Sequence, residues 1–376
     1  MKQPPLAGRS AKLQSGVPHC ATERSLARNV LSKCAMLHRT TRVLALGVAL
    51  SCAVGCASLG SSGHPREGWL EHLSAAPPPP PGKNFPLPPP QLDRVMREEL
   101  DIRSGEHAGS GVMGALRIEA YYPSIDRALS FKWKTAPSGG DGWNNSPRRE
   151  IAAYLVQQWF LTPENYVVPP TIARCIALEE FAEIDPDAEP NLPNARCVFG
   201  NLSIWLQDVE DSDKLDEERF YRDAHYARHF ANFNLLTYLT RNRDSRPGNF
   251  LIAKDESSPR VFSVDNGIAF GEWIYNFFLP NYDVIRVPAL PRDSIERLRK
   301  MGEEELEALL VVAEFRTSAD GVVRERAASA AFDVESGSRI RDGVLQLGLE
   351  PSEIDGVRDR LRDLIAEVDA GEIPLF

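Results

Sequence analysis

The alternation of apolar and polar residues predicts a sheet in the first half of the chain. Residues 115–122 and 129–134 alternate with a period of two, and residues 171–178 and 196–209 are strand-like apolar stretches. A period of two places successive side chains on opposite faces of a strand, so that one face can be buried. We therefore expect these four segments to form a small antiparallel sheet.

Helical spacing indicates a different organisation elsewhere. Ser146 and Pro147 are typical of a helix start, because Ser caps the first turn and Pro fits the first helical position. Apolar residues then recur at intervals of about one helical turn. Residues 293–312 and 351–368 are amphipathic as well. We expect one helix beside the sheet and a mainly helical chain beyond Gly271.

A short hairpin is predicted between two apolar segments, residues 250–253 and 260–264, which a polar, turn-rich run connects. In an antiparallel hairpin the residue before the first strand lies beside the residue after the second. We therefore expect Asn249 and Asp265 to project from the same end of this hairpin.

Side chains suited to phosphoryl transfer flank the hairpin. Asp244 and Asn249 precede it, and Asp265, followed by Asn and Gly, ends it. Kinases use an Asp and an Asn of one loop together with a second, metal-binding Asp. We expect Asn249 and Asp265 to hold Mg²⁺ or Mn²⁺, and Asp244 to orient an acceptor hydroxyl or act as its base. The alternative is that both motifs are ordinary turns, since Asn, Asp and Gly favour turns.

A glycine-rich stretch before the first predicted strand fits a loop that covers phosphates. It contains Gly109, Gly111 and Gly114. Glycine allows the backbone to approach a ligand closely. The pattern has low specificity, and the end of a flexible linker has the same composition.

Two lysines, Lys132 and Lys134, share one face of the strand predicted at 129–134. We expect Lys132 to bind the phosphates of a nucleotide. Glu150, in the first turn of the predicted helix, could reach toward this lysine. The alternatives are that the lysines are solvated on an edge strand and that the helix dipole alone explains the acid.

Charge argues against a nucleic-acid partner. The chain has 376 residues, of which 43% are hydrophobic, and a formal net charge of −10. Residues 1–56 contain eight Lys or Arg and one Glu, which leaves 35 basic and 52 acidic residues in the rest of the chain. A nucleic-acid-binding domain typically has the opposite balance.

The first 56 residues are predicted to be an export signal. A basic stretch that begins at Met36 precedes an apolar run at 43–54, which is too short to span a bilayer as a helix. The run ends in Ala-Val-Gly-Cys, which resembles the lipobox of bacterial lipoproteins. This resemblance implies a start at Met36, cleavage before Cys56 and lipid attachment to Cys56. The alternatives are a plain cleaved signal or a buried apolar stretch.

The expected location is therefore the bacterial cell envelope, where the lipid would anchor the protein to a membrane. Residues 57–91 are rich in Pro, Gly and Ser, which predicts a semi-rigid tether between the anchor and a folded domain. If Met1 is the true start, the protein would instead be cytosolic.

Two cysteines remain in the part of the chain predicted to fold. Cys175 and Cys197 lie in two strand-like segments. In an exported protein they could form a disulfide between neighbouring strands, and two buried free thiols are the alternative.

The order of these motifs resembles the atypical kinases of the secretory pathway, a group that includes the Golgi casein kinases and xylose kinases. HipA-like kinases and type II phosphatidylinositol 4-kinases are more distant relatives of that group. The resemblance covers about residues 109–270 and is carried by residues 131–132, 149–154, 167–174, 242–249 and 265–270.

The resemblance implies that Lys132 binds phosphate, that Glu150 acts near the lysine or the metal, and that Asp244 is the catalytic aspartate. Asn249 and Asp265 would lie near the metal. The family usually has Asp-Arg-His in its catalytic loop, whereas Ser and Arg follow Asp244 here.

We expect an α+β, bilobal, protein-kinase-like fold. Its small lobe, residues 92–208, would contain an antiparallel sheet and one helix, and its larger lobe, residues 209–376, would be mainly helical. The expected function is transfer of the γ-phosphate of ATP to a hydroxyl of a protein serine, a sugar or a lipid headgroup. The alternatives are a pseudokinase lipoprotein that binds a partner and an AMP transferase on the same fold.

Overall fold

The computed structural model describes residues 68–376 with gaps at 81, 109–113, 144, 212–214, 247 and 272–280. The described residues belong to one compact unit. The predicted export signal, Gly109 and Gly111 lie outside the described residues. In the part that is described, no helix is long and apolar enough to cross a membrane.

A five-stranded antiparallel sheet forms the first part of this unit, with the order β1-β2-β3-β5-β4. Its strands are β1 (Asp101–His107), β2 (Leu116–Tyr122), β3 (Arg127–Thr135), β4 (Thr171–Ala177) and β5 (Cys197–Ile204). All four strands that the alternation predicts are present. The fifth, β1, is an edge strand whose side chains are mostly exposed, so its sequence carries little alternation.

A second, three-stranded sheet contains the predicted hairpin. It has the order β6-β7-β8 and consists of β6 (Val209–Asp211), β7 (Phe250–Ala253) and β8 (Val261–Ser263). Residues 205–208 connect β5 of the first sheet to β6 of the second, and we call them the hinge segment.

A four-stranded antiparallel sheet follows, where the sequence predicted a mainly helical chain. Its order is β10-β9-β12-β11, and it consists of β9 (Ala313–Thr317), β10 (Val323–Arg326), β11 (Ser338–Arg341) and β12 (Val344–Leu347). The prediction of a mainly helical chain was therefore wrong for this segment. The strands are only four or five residues long and several are largely polar, so their apolar alternation is weak.

Helices pack around and between the sheets. Those in the described residues are α1 (Trp69–Ala75), α2 (Pro89–Val95), α3 (Pro147–Gln157), α4 (Leu178–Phe181), α5 (Glu217–Arg222), α6 (Ala224–Leu239), α7 (Arg292–Leu298), α8 (Glu303–Glu307) and α9 (Pro351–Asp369). The sequence predicted one helix near the first sheet, but α2 and α4 also pack on it. The helix predicted at 293–312 is divided into α7 and α8, and Gly302 caps the second of these in extended conformation.

The described part of the segment predicted as a semi-rigid tether, residues 68–80 and 82–91, packs against the domain. Leu73 is 2% exposed, and the ring of Trp69 meets that of Tyr221 edge to face with centroids 5.0 Å apart. The side-chain amide of Asn84 donates to the carbonyl oxygen of Gln207 (2.8 Å), and the backbone N–H of Gln207 donates to the carbonyl oxygen of Asn84 (3.0 Å). These contacts attach residues 68–91 to α5 and to the hinge segment, which composition alone did not indicate.

Cys175 and Cys197 form a disulfide between β4 and β5, with their Cα atoms 5.5 Å apart. The sequence left open a disulfide or two buried free thiols, and the structure has the disulfide. The bond joins two neighbouring strands whose other ends contribute residues to the candidate site.

Candidate active site

A cleft of about 950 Å³ lies between the first sheet, α3 and the hairpin β7-β8. One end is charged, with Lys132, Lys134, Glu150 and Asp265. The other end, along β5 and the hinge segment, has apolar and neutral polar lining residues: Val168, Thr171, Asn201, Ser203, Ile204, Leu206, Val209 and Leu251. Four further charged residues, Arg117, Asp208, Glu210 and Asp211, also line the cleft. We call the end with the two lysines the charged end, and the end that Thr171, Asn201 and Ser203 line the neutral end, after the uncharged side chains that β4 and β5 contribute there.

Three secondary-structure elements bring the charged groups together. Lys134 lies near the end of β3, Glu150 in the first turn of α3, and Asp265 just after β8. Lys134 Nζ donates to Glu150 Oε1 at 2.8 Å and also forms an ion pair with Asp265. The side chains of Lys134 and Glu150 are 3% and 6% exposed, whereas that of Asp265 is 41% exposed.

Glu150 holds Lys134, not Lys132 as the sequence suggested. Alternation correctly places both lysines on one face of β3, but Lys134 is the one adjacent to α3. Lys132 Nζ lies 3.5 Å from Asp265 Oδ2, and its side chain is 27% exposed. Both lysines therefore converge on Asp265, and only Lys134 is buried against Glu150.

The pKa shifts follow from this arrangement. Burial alone would lower the pKa of Lys134, but the charges of Glu150 and Asp265 hold it above its ordinary value. Burial would raise the pKa of Asp265, but Lys134 and Lys132 lower it to about 2. Lys134 and Asp265 are therefore both charged at neutral pH.

The backbone at Asp265 is constrained to present its carboxylate. Asp265 has φ 64°, a left-handed conformation that is rare for a non-glycine residue. The next residue, Asn266, donates its backbone N–H to Glu150 Oε2 at 3.0 Å. The Asn266 side-chain oxygen accepts from Asn242 Nδ2 and Ser263 Oγ, both at 2.9 Å. Asn266 thus positions Asp265, a role that sequence reasoning did not assign.

The loop between α6 and β7 holds Asp244 and Asn249. Asn249 Nδ2 donates to the backbone oxygen of Asp244 at 2.9 Å, and Arg246 Nε donates to Asp244 Oδ1 at 2.9 Å. Burial raises the pKa of Asp244, Arg246 opposes this rise, and the charge of Asp265 adds to it. Asp244 is therefore within electrostatic range of Asp265, although neither Asp244 nor Asn249 lines the cleft.

Asn249 and Asp265 are not directly opposite in the hairpin. Phe250 pairs with Ser263, so Asn249 faces Val264, whose N–H lies 3.4 Å from the Asn249 carbonyl oxygen. The strand β8 ends one residue earlier than the sequence predicted. Both residues still lie at the same end of the hairpin.

Gly114 belongs to the connection between β1 and β2. It has φ 63°, and the N–H of Ala108 donates to the carbonyl oxygen of Ala115 at 2.9 Å, which closes this hairpin. Ala108 lines the cleft. The glycine-rich connection therefore begins beside the cleft.

Sequence reasoning also missed polar residues at the neutral end. Thr171, Asn201 and Ser203 are 2%, 2% and 8% exposed, respectively. In the hinge segment, no hydrogen-bond partner for the backbone N–H or C=O of Leu206 occurs among the described residues. The alternating pattern of β5 could have indicated that Asn201 and Ser203 share a face, but not what that face lines.

A metal ion bound with a nucleotide would fit the charged end. Among the described residues there is no group of three or more His, Cys, Asp or Glu side chains that could hold a metal. A nucleotide-bound Mg²⁺ needs only one or two protein carboxylates, because phosphates and water supply the other ligands. The half-exposed carboxylate of Asp265 meets that requirement.

Comparisons with known proteins were made by sequence and by structure. No protein-family model and no curated protein matches the chain. Among solved structures, the chain is similar to one described as the crystal structure of the Golgi casein kinase, with 12% identity, a TM-score of 0.45 and 74% of each chain covered. A functional proposal for this chain therefore depends on the geometry of its own cleft.

Proposed function

We propose that this protein is a kinase that transfers the γ-phosphate of ATP to the hydroxyl of an acceptor molecule. The observation that carries this proposal is the buried Lys134–Glu150 pair, which meets Asp265 at one end of a cleft large enough for a nucleotide. A lysine fixed by an acid and a metal-binding aspartate are the parts that phosphoryl transfer requires.

In this proposal Lys134, held by Glu150, and Lys132 bind phosphate oxygens. Asp265, with Asn249 nearby, would hold Mg²⁺ or Mn²⁺, and the metal would neutralise charge on the phosphates. Asp244 orients the acceptor hydroxyl, whose oxygen forms a bond to the γ-phosphorus as the bond to the β,γ-bridging oxygen breaks. ADP leaves, and the hydroxyl proton passes to Asp244 or to solvent. Most of the rate enhancement would come from positioning and charge neutralisation.

The first test is the melting temperature of the full chain with ATP and either metal. A ligand at ~100 times its dissociation constant adds ~2.7 kcal/mol to the free energy of unfolding, which gives a rise of several degrees. We expect this rise in the wild type and in Asp187→Ala, an exposed residue that does not line the cleft, and we expect its loss in Asp265→Ala. No rise in folded wild-type protein would contradict the proposal.

Product analysis then separates the alternatives. A kinase leaves a phosphate on the acceptor, whereas an AMP transferase leaves an adenylate of much greater mass. Binding without turnover on protein, sugar and lipid acceptors would favour a pseudokinase.

The proposal includes export and a lipid anchor at Cys56. The Cys175–Cys197 disulfide supports it, since such bonds persist in oxidising compartments. Cys56→Ser should move the protein from the membrane fraction to the soluble fraction, and an unchanged distribution would contradict the anchor.

A further inference from the structure

The neutral end of the cleft has a polar wall made by Thr171 on β4 and Ser203 on β5. The two residues are paired across the strands, and Ser203 is paired on its other side with Lys132 of β3. Trp205, the first residue of the hinge segment, follows two positions after Ser203. The wall therefore lies between the charged end of the cleft and the hinge segment.

The hydrogen bonds of this wall have only one consistent direction. Thr171 Oγ1 lies 2.9 Å from the carbonyl oxygen of Pro169 and 2.8 Å from Ser203 Oγ. A carbonyl oxygen can only accept, so Thr171 donates its single hydroxyl proton to Pro169. Ser203 must then donate to Thr171. The proton of Ser203 is used in this bond, and only the lone pairs of its oxygen remain for a ligand.

Asn201 adds a second acceptor to the same face of β5. It is paired with Lys134 across the strands, it lines the cleft, and its side chain is 2% exposed. Its Oδ1 atom has no hydrogen-bond partner among the described residues. An unpaired buried acceptor is unfavourable, and a donor on a ligand would relieve it.

We propose that Ser203, with its proton committed to Thr171, makes the cleft selective for a nucleotide whose purine base carries an amino group at C6, as adenine does. This inference rests on the proposed function, because it requires a nucleotide with its phosphates at the charged end and its base at the neutral end. An amino group donates to Ser203 Oγ, whereas the carbonyl oxygen of guanine or hypoxanthine meets an oxygen that can only accept. A site built to bond a donor discriminates against an analogue that lacks it.

The test compares ATP with purine riboside triphosphate, which differs from ATP only by the missing amino group. Dissociation constants are measured by calorimetry on the full chain. We expect the wild type to bind ATP roughly fivefold to tenfold more tightly than the analogue, the factor expected of one hydrogen bond. Ser203→Ala should remove this difference by weakening ATP binding alone. Ser104→Ala, an exposed serine of β1, is the matched control and should retain it.

A second variant tests the direction of the hydrogen bonds. Thr171→Val removes the group to which Ser203 donates, so that Ser203 can rotate and donate to a carbonyl oxygen. We expect inosine triphosphate to bind more tightly to this variant relative to ATP than it does to the wild type. If Thr171 only maintained the shape of the wall, Thr171→Val would weaken the binding of ATP and of inosine triphosphate equally.

The outcomes distinguish the two proposals. Equal binding of ATP and the analogue by the wild type, or equal weakening of both by Ser203→Ala, overturns the selectivity while the kinase proposal stands. Failure of every triphosphate to bind the folded wild type overturns both.

Discussion

Two charged networks leave the first turn of α3 in opposite directions. Glu150 extends into the cleft and meets Lys134, whereas Arg148 extends toward α9 and meets Glu353. All four of these side chains are at most 7% exposed. By burial and charge alone the two pairs look alike.

The networks differ in their outer partner. Arg148 also bonds Asp141 at 2.7 Å, Glu350 at 3.3 Å and the carbonyl oxygen of Gly348, and the side chains of Asp141 and Glu350 are 19% and 37% exposed. In the cleft the outer partner is Asp265, which is 41% exposed and is contacted by two lysines. In the first network, which we call the closed network, three carboxylates surround the buried Arg148 and none of these residues lines the cleft, so we assign it a role in stability. The second is open to solvent, so a ligand with phosphates or a metal can compete for its lysines and its carboxylate.

The largest effect is expected from Lys134→Met. It leaves Glu150 buried without its cation, which should cost about 3–5 kcal/mol of the free energy of unfolding. It should also abolish the ATP-dependent rise in melting temperature. Denaturant unfolding measures the first effect and thermal melting the second.

Lys132→Met is the control on the same strand. Its side chain is 27% exposed, so we expect a loss of less than about 1 kcal/mol. It should weaken the response to ATP without abolishing it. A full ATP response in Lys134→Met would mean that the open network is not the phosphate site.

Arg148→Met should destabilise the fold somewhat less than Lys134→Met, by about 3 kcal/mol. In this variant Glu353 would still form its ion pair with Arg149, at 2.8 Å, which limits the loss of stability. Because the closed network does not face the cleft, the ATP-dependent rise in melting temperature should remain. Arg362→Met, at an exposed position on α9, should change neither quantity. Loss of the ATP response in folded Arg148→Met would remove the distinction between the networks.

The sequence predicted the types of residue in the open network but not its pairing. The period of β3 shows that Lys132 and Lys134 share a face, and the helix start places Glu150 near one of them. Which lysine is buried depends on the position of α3 relative to the end of β3. That position is set by tertiary packing, and the periodicity of the sequence does not predict it.

The closed network was not predictable, because it depends on contacts far apart in the chain. Arg148 and Glu353 are separated by 205 positions. The sheet β9–β12 was missed for a related reason, since short, largely polar strands are stabilised by their neighbours more than by their own pattern. The disulfide could be stated as an alternative because the two predicted strands, once adjacent, place Cys175 near Cys197.

A small change in the free energy of unfolding is also expected in acid. Burial would raise the pKa of Asp265, but Lys134 and Lys132 lower it from 3.8 to about 2. A depressed pKa contributes stability that is fully present above the unfolded value and is lost as the pH falls from about 4 through 2. Because the side chain is 41% exposed, solvent screening limits this contribution to about 1 kcal/mol. Asp265→Asn should therefore lose less stability than the wild type between pH 4 and pH 2, as measured by denaturant unfolding, whereas Asp187→Asn should follow the wild type. Equal acid sensitivity of Asp265→Asn and the wild type would show that the lysines do not hold this carboxylate in solution.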